Sequence, residues 1–427
     1  MTASPTGTLQ LLPFRAVRYN PSVSDLAAVI APPYDVIDDA EQSALEAADP
    51  HNVVRLILPR DPGIPGIDRY AAATRTFEQW LDDETLLVDD APALYVYQQT
   101  RADVVVQRGL LGAVVMQPLD GGVILPHENV RTGPVEDRLA LMRAMRANPE
   151  PIFLLYDGGG VATASSASAV TRAPIASAVT SDGITHELWS ITDPLELDAI
   201  AADLVARKAM IADGHHRYTT YGYLRDELRA LGEGAGPWDA GLALLVDASV
   251  ATPDIRAIHR VVPKLSLEDA LAAAADAFRV VRLDAGVDNV DRALAVLGEQ
   301  ESPAFLLGDG HSFALLLDPD PGRVAAAKPV DRTPAWWALD ASVASVFVME
   351  ALLGVSDAAG QVEAEHDPAS ALRLAQRDGG IALFLKPAPL AGIVAVAEAG
   401  DAMPRKSTLF LPKPRSGMAM RAFCFEE

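Results

Sequence analysis

With 427 residues, half of them apolar, the chain can bury two or three cores and reads as globular. Its formal net charge of −23 argues against nonspecific binding to DNA, RNA or anionic membrane, because such partners need basic faces. The single cysteine, Cys424, cannot form an intramolecular disulfide and rules out a multi-cysteine zinc or iron–sulfur site, which fits a reducing compartment.

The opening residues Met1 to Gly7 lack the basic and apolar segments of a secretory signal, and no run approaches the ~20 apolar residues of a membrane span. A soluble, cytoplasmic protein without a membrane partner is therefore expected. Leu9 to Tyr19 reads as a strand carrying Arg15 and Arg18 at its end. Pro32 and Pro33 then force a stiff turn over Ala31 to Ile37, which either presents Tyr34 and Asp35 to a ligand or is only structural. A helix over Asp38 to Ala48 leads to a strand over Val53 to Leu58, and Tyr70, Phe77, Trp80 and Leu81 give the next helix, Asp68 to Asp82, an apolar face.

Paired strands are predicted at Ala93 to Gln99 and Val104 to Met116. The apolar run Val123 to Leu125 stops at Pro126 and delivers His127 and Glu128 to a strand end. A helix over Val135 to Ala147 follows, entered through Pro134 and favoured at its N-terminus by Glu136 and Asp137. Pro151 to Tyr156 is a further strand. The Gly, Ala and Ser-rich stretch from Gly158 to about Asp182 reads as a poorly structured or short helical insertion. His186 to Ile191 resumes the sheet, and Pro194 to Arg207 is a helix.

Next comes the stretch around which the chain is organised. Met210 to Ala212 is an apolar strand that breaks into Asp213-Gly214-His215-His216-Arg217, with a helix expected from Tyr218 to Leu231. Gly214 permits a tight bend, and the free amides that open a helix hold phosphate favourably. Arg217 offers a fork of donors matched to phosphate oxygens, and Asp213 is a candidate ligand for a divalent metal bridging them. The alternative is a plain strand-to-helix turn with an Asp cap and two solvated histidines.

Leu242 to Val246 is a buried strand, and Ile258 to Val262 either lines the same cleft or forms an edge strand. Beyond Ser266, helices and strands alternate as a separate α/β module: Leu267 to Ala277, Phe278 to Leu283, Val287 to Leu297, Ala304 to Leu307, Phe313 to Leu317, Ala335 to Leu353, Pro368 to Arg377 and Ile381 to Leu385. The tail Met403 to Pro414 gathers Arg405, Lys406 and Lys413 in an otherwise acidic protein. It either closes over an anionic ligand or docks as a strand. The fold class is α/β with mixed sheets: an N-terminal α/β segment over 1–90, a central phosphate- or nucleotide-binding domain over 91–265 with an insertion at 157–185, and a C-terminal α/β domain over 266–427.

Several ordered motifs resemble the family catalogued as domain of unknown function 1015: Ala31 to Ile37, Pro50 to Leu56, Leu125 to Glu128, Asp137 to Leu139 with Arg143 and Ala144, Asp213 to Tyr218, and Lys406 to Thr408. The resemblance spans nearly the whole chain. Locally, Asp213 to Arg217 resembles the phosphate-binding turn of the ParB and sulfiredoxin superfamily, and especially of its ParB-like free serine kinases, which also carry a strand-end Pro-His-Glu. That likeness implies a central ParB/sulfiredoxin-like domain. It implies Glu128 as the carboxylate that activates an acceptor hydroxyl, with His127 beside it, and Asp213 as the acidic residue at the nucleotide phosphates. Gly214, His215, His216 and Arg217 would form the phosphate cradle, with Arg131 and Lys406 as further contacts. The expected activity is a small-molecule kinase using ATP or ADP with Mg2+ on a metabolite hydroxyl such as that of serine. Two alternatives stay open. One is a ParB-like nucleotide-binding switch, although the acidic balance and the lack of a clear helix-turn-helix leave DNA out as an expected partner. The other is a metal-dependent hydrolase built on His127, Glu128, Asp213, His215 and His216, which lacks any His-Glu-x-x-His spacing.

Overall fold

The computed structural model describes residues 7–283, 289–356 and 361–426. Residues 1–6 of the start that lacks a secretory signal's segments lie outside the described residues, as do the first two residues of the helix expected from Val287. The chain is a mixed α/β protein forming two compact units. The first comprises 1–126, 130–253 and 412–427, and the second 127–129 and 254–411. Among the described residues, no helix is long and apolar enough to cross a membrane.

The first unit is built on a nine-stranded mixed sheet. Its order runs Ile124–Leu125, Ala209–Asp213, Ile152–Tyr156, Ala240–Asp247, Val104–Val115, Leu94–Arg101, Ile184–Ile191 and Ala176–Val179, with Leu11–Leu12 pairing off this path against Val104–Val115. Ile152–Tyr156 and Ala240–Asp247 run parallel, and both are buried throughout. Burial on both faces is why they read as unbroken apolar runs. Leu94, Val96, Leu110, Leu154, Ile211 and Leu245 from the sheet pack with Tyr218, Tyr221 and Leu224 of the helix His215–Ala230. Each such side chain contributes on the order of 1.5–3 kcal/mol by leaving water. A second core, including Val17, Val53, Leu56, Phe77, Trp80 and Met420, joins the N-terminal helices to the end of the chain.

Four local expectations are corrected. Leu9 to Tyr19 is two short strands, Leu11–Leu12 and Val17–Tyr19. Pro13 lies between them and has no amide to donate to a ladder. Val53 to Leu58 is a helical turn, Val54–Ile57, rather than a strand. A short run apolar on every side fits either state, and buried Asn52 decides it by accepting from the Val54 amide at 2.9 Å and donating to the Ala28 carbonyl at 2.8 Å. The Gly, Ala and Ser-rich stretch, read as poorly structured or short helical, does form a short helix, Gly160–Ala169, and departs from that reading only in adding the edge strand Ala176–Val179. Its buried Ala162, Ser165, Ser166 and Ala169 follow a helical stripe whose small residues gave little contrast in sequence. The helix expected from Tyr218 begins three residues earlier, at His215.

The second unit carries a six-stranded antiparallel sheet in the order Arg279–Arg282, Phe313–Leu317, Phe305–Gly308, Ile381–Phe384, His259–Val262 and Glu363–Glu365. The helices Leu267–Ala274, Val290–Gly298 and Pro368–Arg377 bury residues against its two cores. His259–Val262 is an inner, fully buried strand, which removes the edge-strand reading. The Arg260 guanidinium donates to the carbonyls of Arg405 at 2.7 Å and Lys406 at 3.0 Å. Thr408–Leu411 docks as a strand on Asp254–Ala257. The apolar stretch Ala335 to Leu353 is broken into helical pieces, Pro334–Trp337, Asp340–Val343 and a wider π-type segment, Ala344–Leu352.

Candidate functional site

In the first unit, the strand Ala209–Asp213 runs between Ile124–Leu125 and Ile152–Tyr156, and its register shifts between Ile211 and Asp213. Gly214 follows in the left-handed region at φ 93°, and the helix His215–Ala230 starts at once. A β-carbon there would lie 3.1 Å from Arg217 Nε and would force a backbone conformation that L residues rarely adopt. His215, His216 and Arg217 thus occupy the first helical turn, where amides have no intrahelical acceptor, and the cap residue, Gly214, has no side chain to serve them. His215 is buried. His216 is half-buried, and its Nε2 accepts from the Arg131 amide at 3.0 Å, so Arg131 joins the turn through its backbone while its side chain is exposed.

Arg217 turns inward and is 2% exposed. Its Nη2 donates to Asp213 Oδ2 at 2.5 Å and its Nη1 to the Pro151 carbonyl at 2.6 Å, while Nε is buried without a hydrogen-bond partner among the described residues. The other Asp213 oxygen, Oδ1, accepts from Lys413 Nζ at 2.5 Å, and Lys413 also reaches Asp35 Oδ2 at 3.3 Å. Burial works to raise the Asp213 pKa, but Lys413 and then Arg217 outweigh it and hold the carboxyl below its ordinary value. Burial likewise works against the charge on Lys413, and Asp213 and Asp35 keep its pKa above the usual value. Desolvation pulls the His216 imidazole down, which favours the neutral ring.

A second layer supports the turn. The buried Glu150 carboxylate accepts from the Tyr34 amide at 2.9 Å and the Ser416 hydroxyl at 3.3 Å, and lies 3.6 Å from Arg138 Nη1. Burial raises its pKa, against Arg217 and Arg138, which lower it. The Tyr34 ring stacks under Arg138 at 4.1 Å and lies 5.9 Å from the Arg217 guanidinium. Arg138 passes the network on to Asp137, which also holds Arg69 and Tyr70. The Pro-Pro loop is therefore bound into the turn through Tyr34 and Asp35.

Lys413 is delivered by a pinned segment. Its carbonyl accepts from Gln99 Nε2 at 3.2 Å, the Arg415 amide donates to the Tyr97 hydroxyl at 3.2 Å, and Ser416 and Ala31 exchange backbone hydrogen bonds. Tyr97 is held in turn by fully buried His186, whose Nδ1 is 2.8 Å from the tyrosine hydroxyl and whose Nε2 is 2.9 Å from Thr180 Oγ1. Burial lowers the His186 pKa from 6.5 to about 4. The folded state therefore favours the neutral ring, and the resulting stability is present above the unfolded pKa and lost as pH falls through the folded one. Urea midpoints should drop between pH 6.5 and 4 in a way that His186→Gln flattens, by up to about 3 kcal/mol. An unchanged pH slope in the variant would assign the acid lability elsewhere.

Of the residues singled out in sequence, Asp213, Gly214, His215, His216, Arg217 and the Arg131 amide converge in the first unit. His127, Glu128 and Lys406 belong to the second. His127 is buried, its Nε2 3.2 Å from Thr408 Oγ1 and its ring 5.7 Å from that of Phe410, and its carbonyl accepts from the Met403 amide at 2.9 Å. Glu128 is half-buried. Lys406 is exposed at φ 53°. Glu150 was missed, although a lone acid between Pro149 and Pro151 at the head of an apolar strand is a readable signal. Lys413 reads in sequence only as one cation of a basic tail.

Among known proteins, the family model described as "Protein of unknown function (DUF1015)" matches residues 11–342. No curated protein sequence matches the chain. Similar solved structures include SbnI with C-terminal truncation from Staphylococcus aureus, at 14% identity and a TM-score of 0.36 over 72% of this chain and 85% of that one. A free serine kinase in complex with AMP is similar at 13% identity and a TM-score of 0.34 over 72% and 88%. A conserved hypothetical protein from Pyrococcus furiosus is similar at 14% identity and a TM-score of 0.33 over 71% and 90%.

Proposed function

We propose, from the premise that this chain belongs to the DUF1015 family of proteins of unknown function, that it is a nucleotide-dependent phosphotransferase acting on the hydroxyl of a small metabolite. The nucleotide phosphates bind at the turn Asp213 to Arg217. The observation that carries this reading is the left-handed Gly214 between a buried strand and a sixteen-residue helix, with the Lys413 ammonium held against Asp213. The start of a long helix at a glycine cap and a fixed cation together suit an anion.

In the proposed reaction the acceptor oxygen attacks the terminal phosphorus of ATP or ADP. The bond from that phosphorus to the bridging oxygen breaks, its electron pair leaves with the shortened nucleotide, and the acceptor proton passes to a carboxylate. Such a reaction asks the protein mainly to position the partners and to neutralise phosphate charge. Arg217 holds the turn from beneath and orients Asp213. Glu128 is proposed as the proton acceptor on the Pro126-His127-Glu128 resemblance alone.

The test is phosphoryl transfer from ATP and from ADP to a panel of hydroxy and amino acids, with wild type compared with Glu128→Gln. Product formation that falls by about 10²-fold or more in the variant supports both the reaction and the role of Glu128. Nucleotide binding without transfer to any acceptor would favour the switch. A protein that binds no nucleotide would remove the reading altogether.

A further inference from the structure

The resemblance to ParB-like free serine kinases implies Mg2+, and Asp213 is where such an ion would be sought. The residues do not fit one. A magnesium ion requires near-octahedral oxygen ligands at about 2.0–2.1 Å, yet both Asp213 oxygens are committed to cations, Oδ1 to Lys413 and Oδ2 to Arg217, each at 2.5 Å. The neighbouring acid, Asp35, also faces Lys413, at 3.3 Å. Among the described residues, no group of three or more His, Cys, Asp or Glu side chains is placed to hold a metal. A cation already bridges this pair of carboxylates, and it is an ammonium.

That ammonium is built in. The Lys413 side chain is only 11% exposed. Its backbone is fixed by Gln99, Arg415 is tied by its amide to Tyr97 and by its guanidinium to Asp182 at 2.8 Å, and Ser416 is paired with Ala31. The described contacts use two of its three donors, and Asp213 is the residue immediately before Gly214. A compact point charge on a pinned stem suits phosphate, as lysines at nucleotide sites generally do.

We infer that Lys413 is the resident cation of the Asp35–Asp213 pair, excluding a divalent metal there and supplying the positive charge for phosphate bound at the turn, the phosphate part resting on the function proposed above. The C-terminal segment 412–416 is thereby part of the site and not an appendage. Asp213 and Asp35 act as positioning residues that hold the lysine.

Two measurements on the full chain test this. Mn2+ binding, read by electron paramagnetic resonance, should show no site in wild type that Asp213→Asn removes. Lys413→Met should gain one Mn2+ site, which Asp35→Asn in the same protein abolishes, while Lys413→Arg should keep the metal out. Calorimetry with ADP and with inorganic pyrophosphate should show binding that survives EDTA in wild type and weakens at least tenfold in Lys413→Met. A wild-type Mn2+ site lost in Asp213→Asn overturns the inference, as does ADP binding abolished by EDTA. So does a folded Lys413→Met protein that gains no metal and binds ADP normally. Should Lys413→Met fail to fold, the wild-type, Lys413→Arg and Asp213→Asn proteins still decide it. If wild type binds neither ADP nor pyrophosphate, the phosphate function fails, and the Mn2+ titrations alone judge whether Lys413 stands in the metal's place.

Discussion

Replacing Arg217 by alanine is expected to destabilise the first unit by about 3–5 kcal/mol, because it breaks a buried ion pair by removing one partner. The guanidinium is 2% exposed and bonds Asp213 and the Pro151 carbonyl. Alanine leaves that carbonyl without its donor, takes one of its two bonded cations from Asp213, and opens a void beside the Tyr34 ring. The urea midpoint, followed by tryptophan fluorescence, should fall accordingly, and ADP binding should be lost with the geometry of the turn. Arg217→Lys should recover only part of the stability, since a lysine keeps the charge but cannot span Asp213 and Pro151 with a planar fork. A midpoint within 1 kcal/mol of wild type in Arg217→Ala would show that the turn stands without this support.

The second large effect is expected at Glu150. This carboxylate is 3% exposed and joins three separate pieces of chain: the Tyr34 loop, the Arg138 helix and Ser416 near the C-terminus. Glu150→Ala removes the acceptor of the Tyr34 amide and the counter-charge that Arg138 and Arg217 share, at a cost of about 3–5 kcal/mol. Glu150→Gln keeps an acceptor for the amide and should retain more of the stability than alanine does. Because Arg217 and Glu150 act in one network, the double alanine variant should lose less than the two single losses added together. Strict additivity in that cycle would mean that the two groups do not interact through the site.

Much of the architecture was legible from local pattern. Asp38, Asp68, Asp193 and Ser266 each cap the helix predicted to follow them, because an N-cap is a contact within four residues. The hairpin of Leu94–Arg101 with Val104–Val115 is equally local, and so is the Gly214 bend. Where both helix and strand suit the same apolar residues, as at Val54 to Ile57, sequence alone could not choose, and a tertiary bond from Asn52 to the Ala28 carbonyl settled it.

The sequence by itself determined the family motifs, the acidic composition, and the turn as the place to look. It also marked Asp213, Gly214 and Arg217 as candidate residues there. Only the tertiary structure decided what they do to one another. Arg217 reads in sequence as a donor aimed at a ligand, but its side chain runs under the helix to Asp213 and Pro151. Asp213 reads as a metal ligand, but Lys413, 200 residues further along the chain, sits on its free oxygen. Charge pairing depends on distance in space, and the chain brings together residues 35, 150, 213 and 413 only by folding its C-terminal segment back into the first unit. No periodicity or spacing encodes that closure.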